Sequence, residues 1–352
     1  MTVSLFEPRT MMEMVNSEYR ARSFLRDRYF SNKKTFNTAT VDIDIKGPGK
    51  RSLAPFVNPR IGGTLDLRNG FKTSTYRPAF IAPYRVCTAE DAMQRLPGEQ
   101  LYSGRSPNER AAAILAQDLN EMDKEITRTE EVMCAQALTT GKILIKGEGV
   151  DEYLDFWKDL SSAEKPAGTV STLWTAAGAD PLSDLRTACR NIAQKSGLTP
   201  VEMIAGSKAI DALLKSLKGD NTALNSRRID LGQIDPHELE DGVSYVGALR
   251  LPNLDIFTYD EYYYDVATGK EKPMIPEDSV LIACRGVKTT RAYGLVDIIN
   301  EANNTHQFVE GDRVASSWLQ RSNPAGRIVQ LKSAPLMIVN EPLGFYILKV
   351  TD

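Results

Sequence analysis

Apolar residues recur with the period of an α-helix over about residues 107–140, a run much longer than an ordinary core helix. Ser106-Pro107-Asn108-Glu109 supplies an N-cap, a proline at the first helical position and an acid three residues after the cap. Gly141 follows the last helical residue. At 1.5 Å per residue this helix spans about 50 Å. Its apolar stripe consists of Leu115, Leu119, Met122, Ile126 and Met133.

This apolar stripe is narrow and flanked by acidic and basic residues. A compact chain of this length has a radius of gyration of roughly 20 Å, so the helix crosses most of the molecule. The pattern therefore predicts a strut that lies along a surface instead of being enclosed by the core.

The chain before this helix has little capacity to form a core of its own. Residues 1–30 are typical of an N-terminal arm with one short helix at Thr10–Phe24. Residues 46–85 are interrupted repeatedly by Gly and Pro, between which Thr64–Arg68 and Lys72–Tyr76 alternate like strands. A loop of this length normally has a function or a binding partner, so we expect a two-stranded excursion that contacts one.

The rest of the chain alternates between helix and strand patterns, which predicts an α+β body with helices packed on sheets. Asp180–Asp184 caps a helix that continues to Gly197, and a second helix covers Ser207–Leu217. The predicted strands are at Thr140–Lys146, around Trp174, and at Val201–Ala205, Val243–Leu249, Leu254–Tyr259, Val280–Cys284, Ile328–Leu331, Leu336–Val339 and Phe345–Val350.

The net charge of −3 conceals an asymmetry between the two ends of the chain. Residues 1–85 hold 15 Lys and Arg against 7 Asp and Glu, whereas residues 86–352 hold 28 against 39. Residues 46–85 contain eight basic residues and a single acid, Asp66. A basic loop on an acidic body either binds nucleic acid or lies on the acidic surface of an identical neighbour. Aromatic residues within 46–85, such as Phe56 and Tyr76, keep the first interpretation open.

Bulk features indicate a cytosolic protein with reduced cysteines and no membrane contact. Cys87, Cys134, Cys189 and Cys284 are widely spaced and fit neither a zinc pattern nor a disulfide scaffold, so we expect them in the core. The first residues lack the basic start and apolar run of a signal peptide. No apolar stretch approaches the ~20 residues that cross a bilayer.

The residues that carry chemistry in other proteins do not combine into a site in this sequence. Gly47–Ser52 lacks the spacing of a phosphate loop. His237 and His306 are far apart and are expected in polar surface loops. Asp260–Asp265 could hold a cation or stack on bases, although a strand end leading into the turn Thr268-Gly269-Lys270 explains it as well. We therefore predict no catalytic residue, no metal and no cofactor, and a protein that works through its surfaces.

Several ordered local matches make the chain similar to the major capsid proteins of lambda-type tailed bacteriophages, the capsid E family. Each match is short, and together they extend over nearly the whole chain in the same order. They are Arg22–Phe30, Tyr76–Pro83 followed by Arg95–Glu99, Thr140-Gly141-Lys142 at the end of the long helix, Ile275–Leu281, and Lys332–Met337.

This resemblance implies the Hong Kong 97-type capsid fold, an α+β fold with a long spine helix, peripheral and axial domains, an extended loop and an N-terminal arm. On this basis we expect the arm at residues 1–40 and the extended loop, a β-hairpin, at 41–85. The peripheral domain is expected at 86–175 plus 328–352, with the spine helix at 107–140. The axial domain is expected at 176–327.

The function implied by the resemblance is self-assembly into pentamers and hexamers of an icosahedral shell that encloses double-stranded DNA. A portal, a possible decoration protein and non-specifically contacted DNA are the further expected partners, with assembly in the host cytoplasm. Because the chain has no fused scaffolding segment before the arm, a separate scaffolding protein is also expected. The candidate contacts between subunits are the basic loop residues Lys50, Arg51, Arg60, Arg68, Lys72 and Arg77.

Two other functions are compatible with the same residues. A cellular nanocompartment shell has the same fold and encloses a protein cargo instead of a genome. A nucleic-acid-binding protein or an enzyme belongs to a different class and would remain small at high concentration. Particle formation by the purified chain distinguishes these alternatives.

Overall fold

The computed structural model describes residues 23–38, 40–46, 53–54, 56–58, 71–94, 106–147, 149–219, 232–240, 242–265, 268–300, 305–321 and 325–352. Within these ranges the α-helices are α1 Phe24–Tyr29, α2 Ala89–Met93, α3 Pro107–Thr139, α4 Pro181–Ser196 and α5 Ser207–Gly219. A short 3₁₀ turn covers Pro342–Gly344.

The strands of the described residues are β1 Lys33–Thr35, β2 Val41–Lys46, β3 Phe71–Tyr76, β4 Tyr84–Thr88, β5 Lys142–Gly147, β6 Val150–Asp155, β7 Ala167–Thr169, β8 Pro200–Ala205, β9 Gly232–Glu240, β10 Val243–Arg250, β11 Asn253–Tyr259, β12 Tyr262–Asp265, β13 Lys270–Pro273, β14 Ser279–Cys284, β15 Thr289–Tyr293, β16 Val296–Asn300, β17 Thr305–Val309, β18 Val314–Gln320, β19 Gly326–Lys332, β20 Pro335–Val339 and β21 Phe345–Lys349. Helices and strands are both abundant, so the expected α+β class is confirmed.

The long helix predicted from the sequence is present as α3, and its N-terminus is capped as expected. The backbone N–H of Glu109 donates to the Ser106 hydroxyl at 3.3 Å, and the Ser106 N–H donates to the Glu109 carboxylate at 2.7 Å. This reciprocal pair satisfies two backbone donors that the first turn leaves free. Gly141, with φ of +67°, follows the helix.

The chain divides into two compact units. The first combines the described residues of Met1–Val41, Thr75–Met133 and Thr290–Ile338. It contains a three-stranded sheet of order β1-β15-β20, a second of order β18-β19-β4, and the hairpin β16-β17. One face of the second sheet packs on the apolar stripe of α3, through the buried side chains of Leu115, Leu119, Met122, Ile126, Ala315, Val329 and Leu331.

The second unit combines the described residues of Asp42–Ser74, Cys134–Thr289 and Val339–Asp352. Its centre is a seven-stranded mixed sheet of order β7-β21-β14-β8-β11-β10-β9. Helices α4 and α5 pack on this sheet around buried residues that include Leu185, Ile192, Met203 and Leu213. The strands predicted at Val243–Leu249 and Leu254–Tyr259 are confirmed as β10 and β11, a hairpin that turns at the cis peptide bond Leu251–Pro252.

The signals that predicted α4 and the extended loop correspond to observed structure. The Asp180 side chain accepts from the Ser183 N–H at 3.1 Å, and Gly197 ends α4 with φ of +82°. Strands β2 and β3 pair with each other, as expected for the two-stranded excursion. The predicted helix at Thr10–Phe24 and the predicted strand at Thr64–Arg68 lie outside the described residues, apart from Ser23 and Phe24.

Two expectations from the sequence are wrong. Trp174 is not in a strand: it is buried in a turn segment, where its Nε1–H donates to the Asp184 carboxylate at 3.0 Å. The C-terminal half of α3 is not a surface strut, because Asp123, Glu130 and Glu131 on its predicted solvent face are buried. Burial of these acids requires partners that periodicity alone does not reveal.

Candidate functional site

The predicted contact residues of the basic loop lie mostly beyond what the structure describes. Lys50, Arg51, Arg60 and Arg68 are outside the described residues. Lys72 lies in β3, and Arg77 is exposed immediately after that strand. Their role in contacts between subunits therefore stays a prediction.

The described part of the loop exposes apolar side chains. The ring of Phe56 is fully exposed, and Leu53 shortly before it is 93% exposed. Large apolar side chains of this kind contribute about 1.5–3 kcal/mol each when they are buried. The loop thus presents apolar groups that its own chain leaves open to a partner.

Arg85, at the end of the basic segment, is satisfied within its own chain. Its guanidinium lies on one face of α3, where Nη1 is 3.0 Å from the Asp118 carboxylate and Nη2 is 3.4 Å from that of Glu125. Glu121, one turn along, is a third carboxylate partner. Burial opposes the charged form, but the hydrogen bonds that Arg85 donates to Glu121 and Asp118 raise its pKa above the ordinary value. This residue does not contribute to the charge that the loop offers to a neighbour.

A buried charge cluster joins three distant parts of the chain in the first unit. Its centre is Glu130 of α3, whose side chain is completely buried. Arg313, just before β18, donates from Nη1 to Oε1 of Glu130 at 2.7 Å and from Nη2 to Oε2 at 3.1 Å. Arg26 of α1 donates from Nη1 to Oε2 at 2.9 Å. One carboxylate thus holds two guanidinium groups.

The polar residues of α3 that meet these arginines are spaced by whole helical turns. Asp123, Thr127 and Glu130 lie at i, i+4 and i+7, which places them in a second stripe beside the apolar one. Arg313 Nε donates to Asp123 Oδ1 at 2.6 Å, and its Nη2 donates to the Thr127 hydroxyl at 3.2 Å. Two cations and two carboxylates therefore neutralise one another inside the unit.

The pKa values of Arg26 and Arg313 are both raised by their carboxylate partners. Burial alone lowers the pKa of Arg313, but the charges and hydrogen bonds of Glu130, together with Asp123, raise it above the ordinary value. Burial likewise opposes the charge of Arg26, and Asp27 and Glu130 outweigh it, so its pKa is also raised. Both guanidinium groups therefore stay charged and balance the charge of the buried carboxylates.

Glu131, the next residue of α3, binds the backbone of α1. Its carboxylate oxygens accept from the N–H groups of Leu25 at 2.8 Å and Arg26 at 2.9 Å. These are donors in the first turn of α1, and no side chain of Ser23 caps them. Glu131 therefore caps a helix about a hundred residues away, where its negative charge also complements the helix dipole.

The outer face of the sheet β18-β19-β4 carries a row of apolar residues. Alternation along the strands turns Trp318, Ile328 and Val86 away from α3, and pairing places the three in one row across the sheet. Tyr84 lies two residues from Val86 on the same face. Trp318, Val86 and Tyr84 are all exposed, Tyr84 by 61%. Antiparallel sheets usually present polar residues to water on the face away from the core, so this face is typical of a contact surface.

The other residues considered for chemistry lie in strands or next to them. His306 and His237 lie in β17 and β9, not in loops as expected, and His306 Nδ1 is 3.0 Å from an Asp297 carboxylate oxygen. The predicted strand end and turn at Asp260–Lys270 are confirmed by the pairing of β12 with β13.

Among the described residues, no group of His, Cys, Asp and Glu side chains is arranged to hold a metal ion. None of the described helices is long and apolar enough to span a membrane.

The cysteines are free thiols, but only two are fully in the core. Cys134 and Cys284 are buried, whereas Cys87 and Cys189 are half-buried, which corrects the expectation for those two. Burial raises the pKa of Cys189 to about 11 and that of Cys284 to about 12. Both thiols therefore stay protonated and unreactive near neutral pH.

Sequence comparison connects these features to known proteins. The family profile described as Phage major capsid protein E matches residues 7–350. The chain is 24% identical over 356 residues to the major capsid protein of Enterobacteria phage P21, covering 99% of this chain and 100% of that protein. It is 23% identical over 333 residues to the major capsid protein of Escherichia phage lambda, covering 92% of this chain and 91% of that protein.

Structural comparison gives the same result for the fold. The crystal structure of a putative capsid protein of a prophage of Escherichia coli CFT073 superposes with a TM-score of 0.67 at 18% identity, covering 98% of this chain and 99% of that chain. A phage-related protein from Bordetella bronchiseptica superposes with a TM-score of 0.55 at 13% identity and 99% coverage of this chain. Both similarities extend over both units.

Proposed function

The chain belongs to the phage major capsid protein E family, and from this premise we propose that its copies form the pentamers and hexamers of an icosahedral phage head around double-stranded DNA. Its fold is the Hong Kong 97-type α+β capsid fold. The observation that carries the proposal is the match of the family profile over residues 7–350. This match includes both units. The function is structural, and the chain acts by binding copies of itself.

The proposed organisation follows the boundaries expected from the sequence. Residues 1–40 act as the N-terminal arm and 41–85 as the extended loop. Residues 86–175 plus 328–352 form the peripheral domain, and 176–327 form the axial domain. Rings of five and six copies require contacts between different surfaces of adjacent subunits, which such outlying segments provide.

Two exposed apolar surfaces support this assembly. The loop exposes Leu53 and Phe56, and the sheet β18-β19-β4 exposes Trp318, Val86 and Tyr84. Burial of such groups between copies supplies a non-directional attraction that scales with the apolar area removed from water. A second copy of the chain is the partner we propose for both surfaces.

Charge pairing between copies adds to this attraction. The loop segment 46–85 carries eight basic residues and one acid, whereas residues 86–352 carry an excess of acids. An exposed ion pair contributes at most about 1 kcal/mol, so only a set repeated at every subunit contact affects assembly. The acidic body also limits how tightly packaged DNA is held, because DNA binding depends on phosphate neutralisation.

Further partners follow from the same function. We propose a separate scaffolding protein, a portal and a possible decoration protein, with assembly in the host cytoplasm before the chain becomes part of the virion. A scaffold and a portal are the partners that shell closure and DNA entry require.

Charge reversal in the loop tests the proposal. The variant Lys50→Glu, Arg51→Glu, Arg60→Glu, Lys72→Glu is expected to remain a folded subunit and to form no shells by negative-stain microscopy. The matched control reverses four exposed lysines of the acidic body, Lys158, Lys165, Lys215 and Lys270, and is expected to retain shells. Normal shells from the loop variant, or equal loss in both variants, would contradict loop-specific charge pairing. Shells that contain a cargo enzyme and no DNA would instead identify a nanocompartment.

A further inference from the structure

The solvent side of helix α4 carries two arginines without a partner. Leu185, Ala188 and Ile192 of this helix are buried in the core of the second unit. Arg186 and Arg190 lie on the other side of the helix and are exposed. In the part of the chain that the structure describes, neither guanidinium has a hydrogen bond or an ion pair. Positions i and i+4 are neighbours on a helix surface, so these two like charges repel each other.

No acid of α4 balances these arginines. Asp184 is the one acidic residue of the helix, and its carboxylate accepts from the Trp174 Nε1–H at 3.0 Å. The other exposed side chains of α4 are uncharged, namely Ser183, Thr187 and Gln194. The arginine face of α4, defined as Arg186 and Arg190, therefore suits an anionic surface from outside its own chain.

A second surface of the same unit has the opposite imbalance. Asp260, directly after β11, is exposed and lies close enough to Asp211 of α5 and to Glu277 for their charges to interact. Partial burial and these two carboxylates raise the pKa of Asp260 above its ordinary value. Glu277 has a cation, because Lys208 Nζ is 3.2 Å from its Oε2. Asp211 and Asp260 have no cation partner among the described residues.

An aromatic ring lies beside these carboxylates. Tyr262 is 46% exposed, and its hydroxyl oxygen is 3.5 Å from Oε1 of Glu277. A guanidinium group pairs with carboxylates and also stacks on aromatic faces, so arginine suits such a surface better than lysine does. The acidic surface, defined as Asp211, Asp260, Glu277 and Tyr262, thus offers two unpaired carboxylates to a partner. Their number equals that of the unpaired arginines on α4.

We propose that the arginine face of α4 docks on the acidic surface of a second copy of the chain, and this inference rests on the proposed shell function. Arg186 and Arg190 then pair with Asp211 and Asp260 of the adjacent copy, with Tyr262 beside them. Inside one chain none of these four charged groups forms an ion pair with another. Because the two surfaces lie on different elements, the contact is heterologous, and its repetition head to tail forms a ring when the rotation closes.

Charge reversal in the full-length chain tests this contact. The arginine variant is Arg186→Glu, Arg190→Glu, and the acidic variant is Asp211→Lys, Asp260→Lys. Each alone is expected to lower the yield of shells at least about tenfold, because like charges then oppose each other in every contact. The chain with all four substitutions is expected to recover most of the wild-type yield. Sedimentation measures the yield, and urea unfolding is expected to give the wild-type midpoint for every variant, since these side chains are exposed.

A mixture of the two double variants is a more selective test. In the arginine variant both surfaces are acidic, and in the acidic variant both are basic, so each chain binds the other and not itself. The two chains must therefore alternate around a ring, which six members allow and five members do not. We expect six-membered rings in the mixture and no closed shells, because an icosahedral shell requires five-membered rings as well.

The matched control is Lys158→Glu, Lys165→Glu, which reverses two exposed charges elsewhere in the same unit and is expected to keep the yield of shells. Wild-type yield from either reversed variant, or no recovery in the folded chain with all four substitutions, would overturn the contact and leave the shell function intact. Shells of the arginine variant that have lost only their DNA would assign this face to nucleic acid and also overturn it. If the wild type forms no shells, the proposed function fails, and this inference fails with it.

Discussion

Arg313 and Glu130 are 183 positions apart in the sequence, yet they form a two-pronged ion pair with donor–acceptor distances of 2.7 and 3.1 Å. The pair connects the start of β18 to the buried half of α3, and Arg26 shares the same carboxylate. The geometry places a charged centre within the apolar core of the first unit. Several measurable consequences depend on this centre and on the surfaces around it.

Removal of the central cation is expected to be costly. Arg313→Met leaves Asp123 without its guanidinium partner and Glu130 with Arg26 alone, and breaking a buried pair from one side costs about 3–5 kcal/mol in the free energy of unfolding. Arg85→Met is the control, because the partly exposed pairs of Arg85 contribute less than about 1 kcal/mol. Urea unfolding of the subunit measures both. Similar losses in the two variants would show that Arg313 is not the centre of the unit.

The turn after α3 is expected to tolerate no side chain. Gly141 has φ of +67°, and a Cβ there would lie 2.2 Å from Cδ2 of Trp157. Gly178 has φ of +85° with nothing within 4 Å of such a Cβ. Gly178→Ala is therefore expected to cost about 1 kcal/mol of backbone strain, and Gly141→Ala clearly more, with a changed Trp157 environment in near-ultraviolet circular dichroism. Equal costs would show that Trp157 moves aside freely.

Alkaline pH is expected to lower stability through a half-buried thiol. Burial raises the pKa of Cys189 from 9.0 to about 11, so above about pH 9 the unfolded chain loses a proton that the folded chain keeps. The free energy of unfolding therefore decreases as pH rises through this window, by about 1 kcal/mol after allowance for solvent screening. Cys189→Ala is expected to show a shallower decline between about pH 9 and pH 11 in chemical unfolding. Parallel curves for the variant and the wild type would contradict this assignment.

The outer face of the sheet β18-β19-β4 is expected to contribute to assembly. Trp318 and Leu319 are adjacent and similarly exposed, but they point to opposite faces of the sheet. Trp318→Glu is expected to reduce the yield of shells at least about tenfold, because it places a charge in an apolar contact between copies. Leu319→Glu is expected to have little effect. Sedimentation of assembled shells measures the yield, and the reverse order of the two variants would assign the contact to the other face.

Local signals in the sequence predict those elements whose ends are determined by residues close to them in the chain. Ser106 and Glu109 begin α3, and Asp180 and Gly197 bound α4, because caps and left-handed glycines act on adjacent backbone. The strands β10 and β11, which form one hairpin, lie where local alternation predicts strands at Val243–Leu249 and Leu254–Tyr259. In each case the residues that determine the structure are neighbours in sequence.

The buried charge cluster could not be predicted in this way, because its partners come from three distant segments. Asp123, Thr127 and Glu130 have helical spacing, but polar residues at that spacing are normally on a solvent face. A search for polar residues repeating at i, i+4 and i+7 beside the apolar stripe would have found them without identifying Arg26 or Arg313. Trp174 is predicted in a strand but lies in a turn segment, where its Nε1–H donates to Asp184 at the start of α4.

The central claim is that this chain is completed by copies of itself, and electron microscopy of the full-length chain co-expressed with a scaffolding protein tests it most directly. We expect closed shells built of five- and six-membered rings, in which the loop segment around Leu53 and Phe56 contacts an adjacent subunit. Dispersed single subunits at high concentration, with that segment packed on its own chain, would contradict the account.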